Sequence, residues 1–414
     1  MSLIQTTSMR GVYVNEYLYL KKISMAVFTL ALLISLALGQ VTHVVSIEQT
    51  YVKVSSCIDI TSPGYYYLSH NISGVQEGVN RCIGIYVGNV VLDGNGYSLV
   101  NDRGDGILVY KSYNVTVKNL RVRGYDIGIT FDSSSNSIIE NVAVSSSSWS
   151  GIYFTLSSYN TIVNVTVSNS LSGIYLYNSS SNIVVNVVVV GNGPGIWLIG
   201  SGNNTIANIT TTNNADGIAI SISSNGNRVL NSIVSNNVCG ISIGLSSYNT
   251  VASNIVSNNS YGLCFQNSSN NLIYNNYFKN LNVIHVYGKS MQNTWNITKT
   301  EGRNILGGSY LGGNYWGFLE GEGFSDTCSD SDSDGICDNP FGVDENNVDY
   351  LPLRLQLAIT PAPPQPTPTP QIVTPSPTPT TTTPLIRDYA FFIGVGLAIV
   401  VLIATTLTIL RKRK

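Results

Sequence analysis

Gly151-Ile152-Tyr153-Phe154, then Asn160-Thr161-Ile162, then Asn164-Val165-Thr166-Val167: within this short stretch apolar and polar residues alternate three times, with Ser and Asn between the runs. Period-2 alternation broken by turn residues marks short β-strands with one buried face. The pattern recurs. Gly-Ile stands at Gly84-Ile85, Gly106-Ile107, Gly128-Ile129, Gly151-Ile152, Gly173-Ile174, Gly195-Ile196, Gly217-Ile218 and Gly240-Ile241, and Gly262-Leu263 closes the series, at steps of 22 or 23 residues. Asn119, Asn141, Asn164, Asn186, Asn208, Asn231, Asn254 and Asn276 run in phase with it. A fixed period of this length means one unit stacked on copies of itself. Three short strands per coil predict an all-β, right-handed parallel β-helix of about nine coils, in which each strand pairs with its equivalent one coil on.

In that arrangement the isoleucines from Ile107 to Ile241, with Leu263, form a column down the core. The asparagines fall at a turn, where stacked amides bond to one another and to the turn backbone, so they are structural rather than ligands. The chain has 414 residues, of which 43% are hydrophobic and 11% charged, with a net charge of −2. Such a composition provides ample core and no basic field, which sets nucleic acid aside as a partner.

Outside the repeat the composition changes in steps. Residues 1–39, with Lys21-Lys22 ahead of the apolar run Ile23 to Leu38, read as a signal peptide. An N-terminal cap is expected over 40–83, repeats over 84–278, and a C-terminal cap over 279–356. Residues 357–386 are rich in Thr-Pro pairs, an extended stalk. Residues 387–414 contain an uncharged run, Ala390 to Leu410, followed by Arg411-Lys412-Arg413-Lys414. These features predict a single transmembrane helix with a cytoplasmic C-terminus, and hence a β-helix held outside the cell membrane.

The Gly-Ile and Asn-rich coils resemble the parallel β-helix repeats of the NosD-like family, named for a periplasmic copper-binding accessory protein. The resemblance covers about residues 50–353 and includes the ending Gly313-Asn314-Tyr315-Trp316, Asp334-Gly335-Ile336 and Asn346-Asn347-Val348-Asp349-Tyr350-Leu351-Pro352-Leu353. It implies the fold, and membership of a group that holds carbohydrate-binding proteins and sugar hydrolases. One fold hosts many activities, so the chemistry is sought in the residues.

Copper, the metal the resemblance implies, finds little support in the donors. Met1, Met9 and Met25 precede the expected cleavage site, and His43, His70 and His285 stand far apart in the chain. Calcium fits better. Asp330-Ser331-Asp332-Ser333-Asp334-Gly335-Ile336-Cys337-Asp338 places carboxylates at alternating positions, with Gly for a sharp turn and Ile336 for a carbonyl. It looks like the calcium loops of EF-hand-like and thrombospondin type 3 repeats, although Phe341 stands where their glutamate would. A structural calcium held by Asp330, Asp332, Asp334, Ile336 and Asp338 is expected, locked by a Cys328–Cys337 disulfide, with a second disulfide, Cys57–Cys82, stapling the N-terminal cap. Cys239 and Cys264 fall on opposite faces by strand parity, which argues against pairing them.

The position after each Gly-Ile faces outward. It is Tyr86, Leu108, Thr130, Tyr153, Tyr175, Trp197, Ala219, Ser242 and Cys264 in successive coils, with Tyr110 and Tyr177 two residues further along their strands. Tyr153, Tyr175 and Trp197 thus form three consecutive rungs of an aromatic ladder, able to stack on sugar rings or on one another. A catalytic site on polysaccharide needs carboxylates in proximity. Between residues 141 and 278 only Asp216 and Arg228 are charged, whereas the second and third coils carry Asp102, Arg103, Asp105, Lys111, Lys118, Arg121, Arg123, Asp126 and Asp132. Asp105 and Asp126, just ahead of their glycines, are the candidate pair. Among the N-x-S/T sequons, Asn178 and Asn267 stand at turns and are the expected glycan acceptors. The sequence therefore points to a membrane-anchored, cell-surface β-helix that binds glycans or another surface polymer, or serves as a structural or adhesive element. A polysaccharide-active enzyme (hydrolase, lyase or epimerase) is the alternative, and a metal-handling accessory protein the third possibility.

Overall fold

The structure, a computed structural model, describes residues 51–355 except residue 321. The expected signal peptide, stalk and transmembrane segment lie outside the described residues. Among the described residues no helix is long and apolar enough to cross a membrane.

The chain winds into a parallel β-solenoid of about ten turns. One sheet stacks eleven strands, from Ile58–Ile60 to Asn282–Tyr287, each parallel to its neighbours. At about 4.8 Å per rung, ten steps make a rod roughly 48 Å long. The other sheet collects the two shorter strands of each coil. Thr161–Val163 and Thr166–Ser168 are separate in one coil, and their equivalents merge into the single strand Ile183–Val190 in the next. In-register pairing thus extends beyond the Gly-Ile series at both ends, and Tyr315–Phe318 continues the second sheet by pairing with Tyr277–Asn280.

Alternation puts apolar side chains in inward columns, one of them Leu120, Val142, Val165, Val187 and Ile209 of the second sheet. Two come from the eleven-stranded sheet: Ile107, Ile129, Ile152 and their successors, and Val109, Phe131, Phe154, Leu176, Leu198 and theirs, all buried. The facing sheet contributes the columns of Ile139, Ile162 and Val184 and of Val144, Val167 and Val189. The repeated glycine sits where these sheets meet. A Cβ built on Gly128 would lie 2.3 Å from a Val144 methyl and 2.5 Å from the Gly151 carbonyl oxygen. Only a residue without a side chain permits that approach.

The first member of the Gly-Ile series is out of register. Ile83, not Ile85, pairs with Ile107, and Gly84 pairs with Leu108, so Cys82 stands opposite Gly106. Tyr86 therefore does not belong to the row of Tyr153; that place is taken by Gly84, and before it by Asp59. Cys82 reaches back one coil to Cys57 in a disulfide with Cα atoms 4.5 Å apart.

The asparagine series also divides in two. Asn119, Asn141, Asn164, Asn186, Asn208 and Asn231 have left-handed backbones and lie at the surface or half-buried, whereas Asn254 and Asn276 are buried. A one-residue slip between Asn231 and Asn254 moves the series from an outward to an inward row: Ser253 and Asn275 inherit the left-handed position, and Ser232 is the first polar residue of the inward row that Val187 and Ile209 occupy before it. Left-handed backbone suits Asn at the first set. The buried set does different work. Ser232 N–H donates to Asn254 Oδ1, Asn254 N–H to Asn276 Oδ1 and Asn276 N–H to Asn314 Oδ1, at 3.0–3.1 Å, and Asn314 N–H ends on Asp349 Oδ2 at 2.8 Å.

Aromatic residues close the C-terminal end of the core: Trp316 stacks on Phe278 and on Phe341, with Trp295 beside it. Asp349 is fully buried and also accepts from the Trp316 indole at 2.9 Å. Replacing Asp349 by Ala leaves these donors without an acceptor, a loss of about 1–3 kcal/mol for each buried group. Thermal melting followed by circular dichroism should show Asp349→Ala well below wild type, and Asn208→Gly, which keeps the left-handed backbone at an exposed turn, close to it. Equal shifts would mean that the ladder end does not hold the cap.

Candidate functional site

The glycine corner determines what reaches solvent. Gly and the following Ile both point inward, so the residue before Gly emerges on the same face as the residue after Ile. Two contacts demonstrate this. Asp105, ahead of Gly106, accepts from the hydroxyl of Thr130 at 3.2 Å, and Cys239, ahead of Gly240, forms a disulfide with Cys264 with Cα atoms 6.3 Å apart. The parity argument against joining Cys239 to Cys264 is thereby corrected: simple alternation fails across the glycine. Cys264 has a partner, and all six cysteines are bonded.

Three rows on the outer side of the sheet result, with Ser150, Ser172, Cys239, Thr130 and Ala219 covered by their neighbours. The first holds Arg81, Asp105, Ile127, Ser150 and Ser172, and resumes at Asp216, Cys239 and Tyr261. The second runs from Asp59 and Gly84 through Leu108, Thr130, Tyr153, Tyr175, Trp197, Ala219, Ser242 and Cys264 to His285. The third holds Tyr110, Asp132, Thr155, Tyr177, Ile199 and Ser221.

The aromatic residues are contiguous and partly exposed. Tyr175 and Trp197 stack with centroids 4.7 Å apart and planes 16° apart, and Tyr153 tilts against Tyr175 at 5.2 Å. Trp149, at the preceding turn, packs its edge on Tyr153 at 4.8 Å, and Tyr177 meets Tyr175 at 6.2 Å. Stacked rings cover part of one another's faces, so the ladder presents slats rather than a row of open platforms. The stack ends at Trp197, because the next residue in the row is Ala219. Trp149, 40% exposed, is the contributor that the Gly-Ile frame missed; its signal is a Trp two residues ahead of Gly151.

The N-terminal end of the same face is polar. Arg81 Nη2 and Nε bond to Asp59 at 3.0 and 3.2 Å, and Gln76 Nε2 donates to Asp59 Oδ1 at 2.9 Å. Burial pushes the Asp105 carboxyl up to about 6 and the charge of Asp126 adds to this, while the Thr130 hydroxyl and Arg81 oppose it. Asp126 sits on the adjoining turn. Its N–H donates to Gly104 O at 2.8 Å, and its carboxylate accepts from Gly104 N–H and the Ser148 hydroxyl, both at 2.6 Å. The structure thus places Asp126 next to Asp105. A carboxyl with a raised pKa beside another carboxylate can carry a proton near neutral pH. Asp59 and Arg81 escaped sequence reasoning because the cap lacks the repeat, although Ile58-Asp59-Ile60 alternates as Ile152-Tyr153-Phe154 does.

The other candidates lie elsewhere. One oxygen from each of Asp330, Asp332 and Asp334 comes within 4.8 Å of the others. Several of these oxygens already accept: Asp330 from the N–H groups of Asp334 and Gly335, and Asp334 from Ile336 N–H and the Lys299 ammonium. Asp338 turns its carboxylate to Ser331 N–H. Cys328 and Cys337 are bonded across the loop. Copper donors do not converge among the described residues: His70 lies against Ser69, His285 packs on Tyr261 at the opposite end of the sheet, and every cysteine is in a disulfide. With Met291 exposed in a loop, the described residues do not assemble the donors of a copper centre. Asn178 and Asn267 are both exposed at left-handed turns.

Several solved structures share this fold. A variant of the periplasmic alginate epimerase AlgG is 18% identical, covering 59% of this chain and 66% of that one, with a TM-score of 0.49. The A-module of mannuronan C-5 epimerase AlgE4 from Azotobacter vinelandii is 18% identical over 53% of this chain and 70% of that one, TM-score 0.46. An alginate lyase from Paenibacillus is 13% identical over 59% of this chain and 99% of that one, TM-score 0.46. The chain thus spans slightly less than two thirds of the AlgG variant's length. No curated protein matches the sequence. The family profile of NosD, described as periplasmic copper-binding protein, matches residues 53–238 and, overlapping, 150–321, together more than half of the sequence. The chain belongs to the NosD family.

Proposed function

We propose that this protein is a right-handed, membrane-anchored β-solenoid that binds glycan at the cell surface through the outward face of its eleven-stranded sheet. The observation that carries this is the contiguous, partly exposed aromatic group of Trp149, Tyr153, Tyr175, Tyr177 and Trp197 on a regular parallel sheet. Sugar rings offer C–H faces to aromatic edges and faces, and hydroxyls to the Tyr oxygens. The hand follows from the rule for parallel crossovers. The uncharged run and basic tail would hold the rod outside the membrane on its Thr-Pro stalk. A calcium ion at Asp330, Asp332 and Asp334 would brace the cap and play no part in binding; glycans at Asn178 and Asn267 would occupy the neighbouring turn edge.

A glycan array should show binding that weakens by roughly 10-fold or more in the Tyr153→Ala/Tyr175→Ala/Trp197→Ala variant, since each aromatic contact is worth about 0.5–1.5 kcal/mol. Ile183→Thr, on the outside of the other sheet, should bind as wild type. Unchanged binding by a triple variant that still melts cooperatively would remove the ladder from the site.

One observation favours a second reading, a polysaccharide-active enzyme: Asp105 is raised to about 6 with Asp126 beside it, two rungs before Tyr153 on the same side of the sheet. In that case a general acid at Asp105 would make activity fall as pH rises through about 6, and Asp105→Asn would abolish it. The raised pKa also has a consequence independent of activity. The folded state keeps a proton that the unfolded chain loses above 3.8, so this contribution to stability is present below that pH and lost as pH rises through about 6. Chemical denaturation at pH 4 and pH 7 should show a smaller difference in Asp105→Asn than in wild type. Identical differences would mean that Asp105 titrates normally.

A further inference from the structure

We infer that the glycan taken by this face is uncharged, an inference that rests on the glycan-binding reading above. The charged residues of the three outward rows are Asp59, Asp105, Asp132 and Asp216, with Arg81 as their cation. Arg81 is already committed, held by Asp59 at 3.0 Å with its guanidinium 5.1 Å over the Tyr86 ring. From Ile127 to Tyr287 the rows contain neither Lys nor Arg. At the bordering turns Lys111 lies 4.9 Å over the Tyr110 ring, Asp126 adds a negative charge, Asp102 and Arg103 are neighbours of opposite sign, and Lys289 follows the last strand, so none of these cations stands beside the aromatic rungs.

Among the described residues, the other cations carried by strands stand on the other sheet. Lys118, Arg121 and Arg123 belong to the strand Val115–Arg123, Arg228 to Arg228–Leu230 and Lys279 to Tyr277–Asn280. Recognition of a carboxylate on each sugar calls for Arg or Lys in register with the polymer. Along the aromatic rungs from Tyr153 to Trp197 this face offers a polyuronate no cation, and the charged side chains of the flanking rungs, Asp132 and Asp216, are negative; like charge brought together across an interface is unfavourable. A polycation fares no better. Asp59 is neutralised by Arg81, Asp105 is bonded to Thr130, and Asp132 and Asp216 stand at opposite ends of the aromatic group, four rungs apart in the sheet order. What remains between them is aromatic and hydroxyl surface, which matches the C–H faces and hydroxyls of a neutral polysaccharide.

The test is co-sedimentation or affinity electrophoresis of the full-length protein with a neutral β-glucan, polygalacturonate and chitosan, at low and high salt. The neutral polymer should be retained, with affinity within about 2-fold between 50 and 500 mM salt, and polygalacturonate at least about 10-fold more weakly. Preference for polygalacturonate or chitosan, lost at high salt, would overturn the neutral assignment while leaving glycan binding in place. Retention of none of the three would overturn glycan binding itself. A second protein tests the cause. Thr155→Lys/Ser221→Lys places two ammonium groups in the third row beside the ladder, and should raise retention of polygalacturonate by about 10-fold at low salt only. No gain in that variant, with neutral binding intact, would show that charge does not select the ligand.

Discussion

Every coil of this solenoid turns sharply, and each turn buries backbone N–H groups that no strand can satisfy. The next coil supplies the acceptor from a side chain. Ser112 N–H donates to Ser134 Oγ, Ser134 to Ser157, Ser157 to Ser179 and onward to Ser290. A second ladder begins at Val115 N–H and passes through Ser137, Asn160, Asn182, Asn204, Asn227, Asn249 and Asn271 to Asn293. A third runs from Ser147 through Ser170, Asn192, Asn214 and Asn237 to Asn259 and Asn280. A buried N–H without a partner is costly, so the Ser and Asn richness of the chain is a requirement of stacking rather than a sign of polar surface.

These ladders point one way, each coil donating to the coil that follows. The C-terminal end must therefore finish them. Asn347 receives the Asn293 amide and the Trp295 indole, and Asp349 receives Asn314 and the Trp316 indole, both from the short strand Asn347–Asp349. The same segment thus supplies hydrogen-bond ends and shares a cap with the aromatic plug that covers the last apolar layer. A repeat array needs terminal units of this kind, since an open end exposes both core and unpaired backbone.

The glycine corner links the core to the site. By bringing two consecutive residues inward it turns the residue before glycine to the outer face, beside the residue after isoleucine. That local geometry joins Asp105 to Thr130 and allows Cys239 to reach Cys264. Regular rung spacing then lays Tyr153, Tyr175 and Trp197 against one another. Aromatic stacking between rungs and aromatic presentation to a ligand draw on the same rings, and the tilt of Tyr153 and the edge of Trp149 leave the group partly open to solvent.

Coil length, strand alternation, the inward isoleucine column and the succession Tyr153, Tyr175 and Trp197 are legible in the linear pattern, because they depend on periodicity alone. The sequence also held the Asn-Val-Asp ending, though not its purpose. Register at the irregular places was decided only by the tertiary structure. Gly84-Ile85 looks like a repeat unit, yet Ile83 fills the core place, because Cys82 substitutes for the glycine and is tied to Cys57. Asn231 and Asn254 look alike in phase, yet one is exposed and the other buried, because a single extra residue moves a side chain from the outside of a turn to the inside. Strand parity holds only where each residue alternates, and a corner that needs two inward neighbours breaks it; that break, invisible in the linear pattern, sets which side chains share the candidate site.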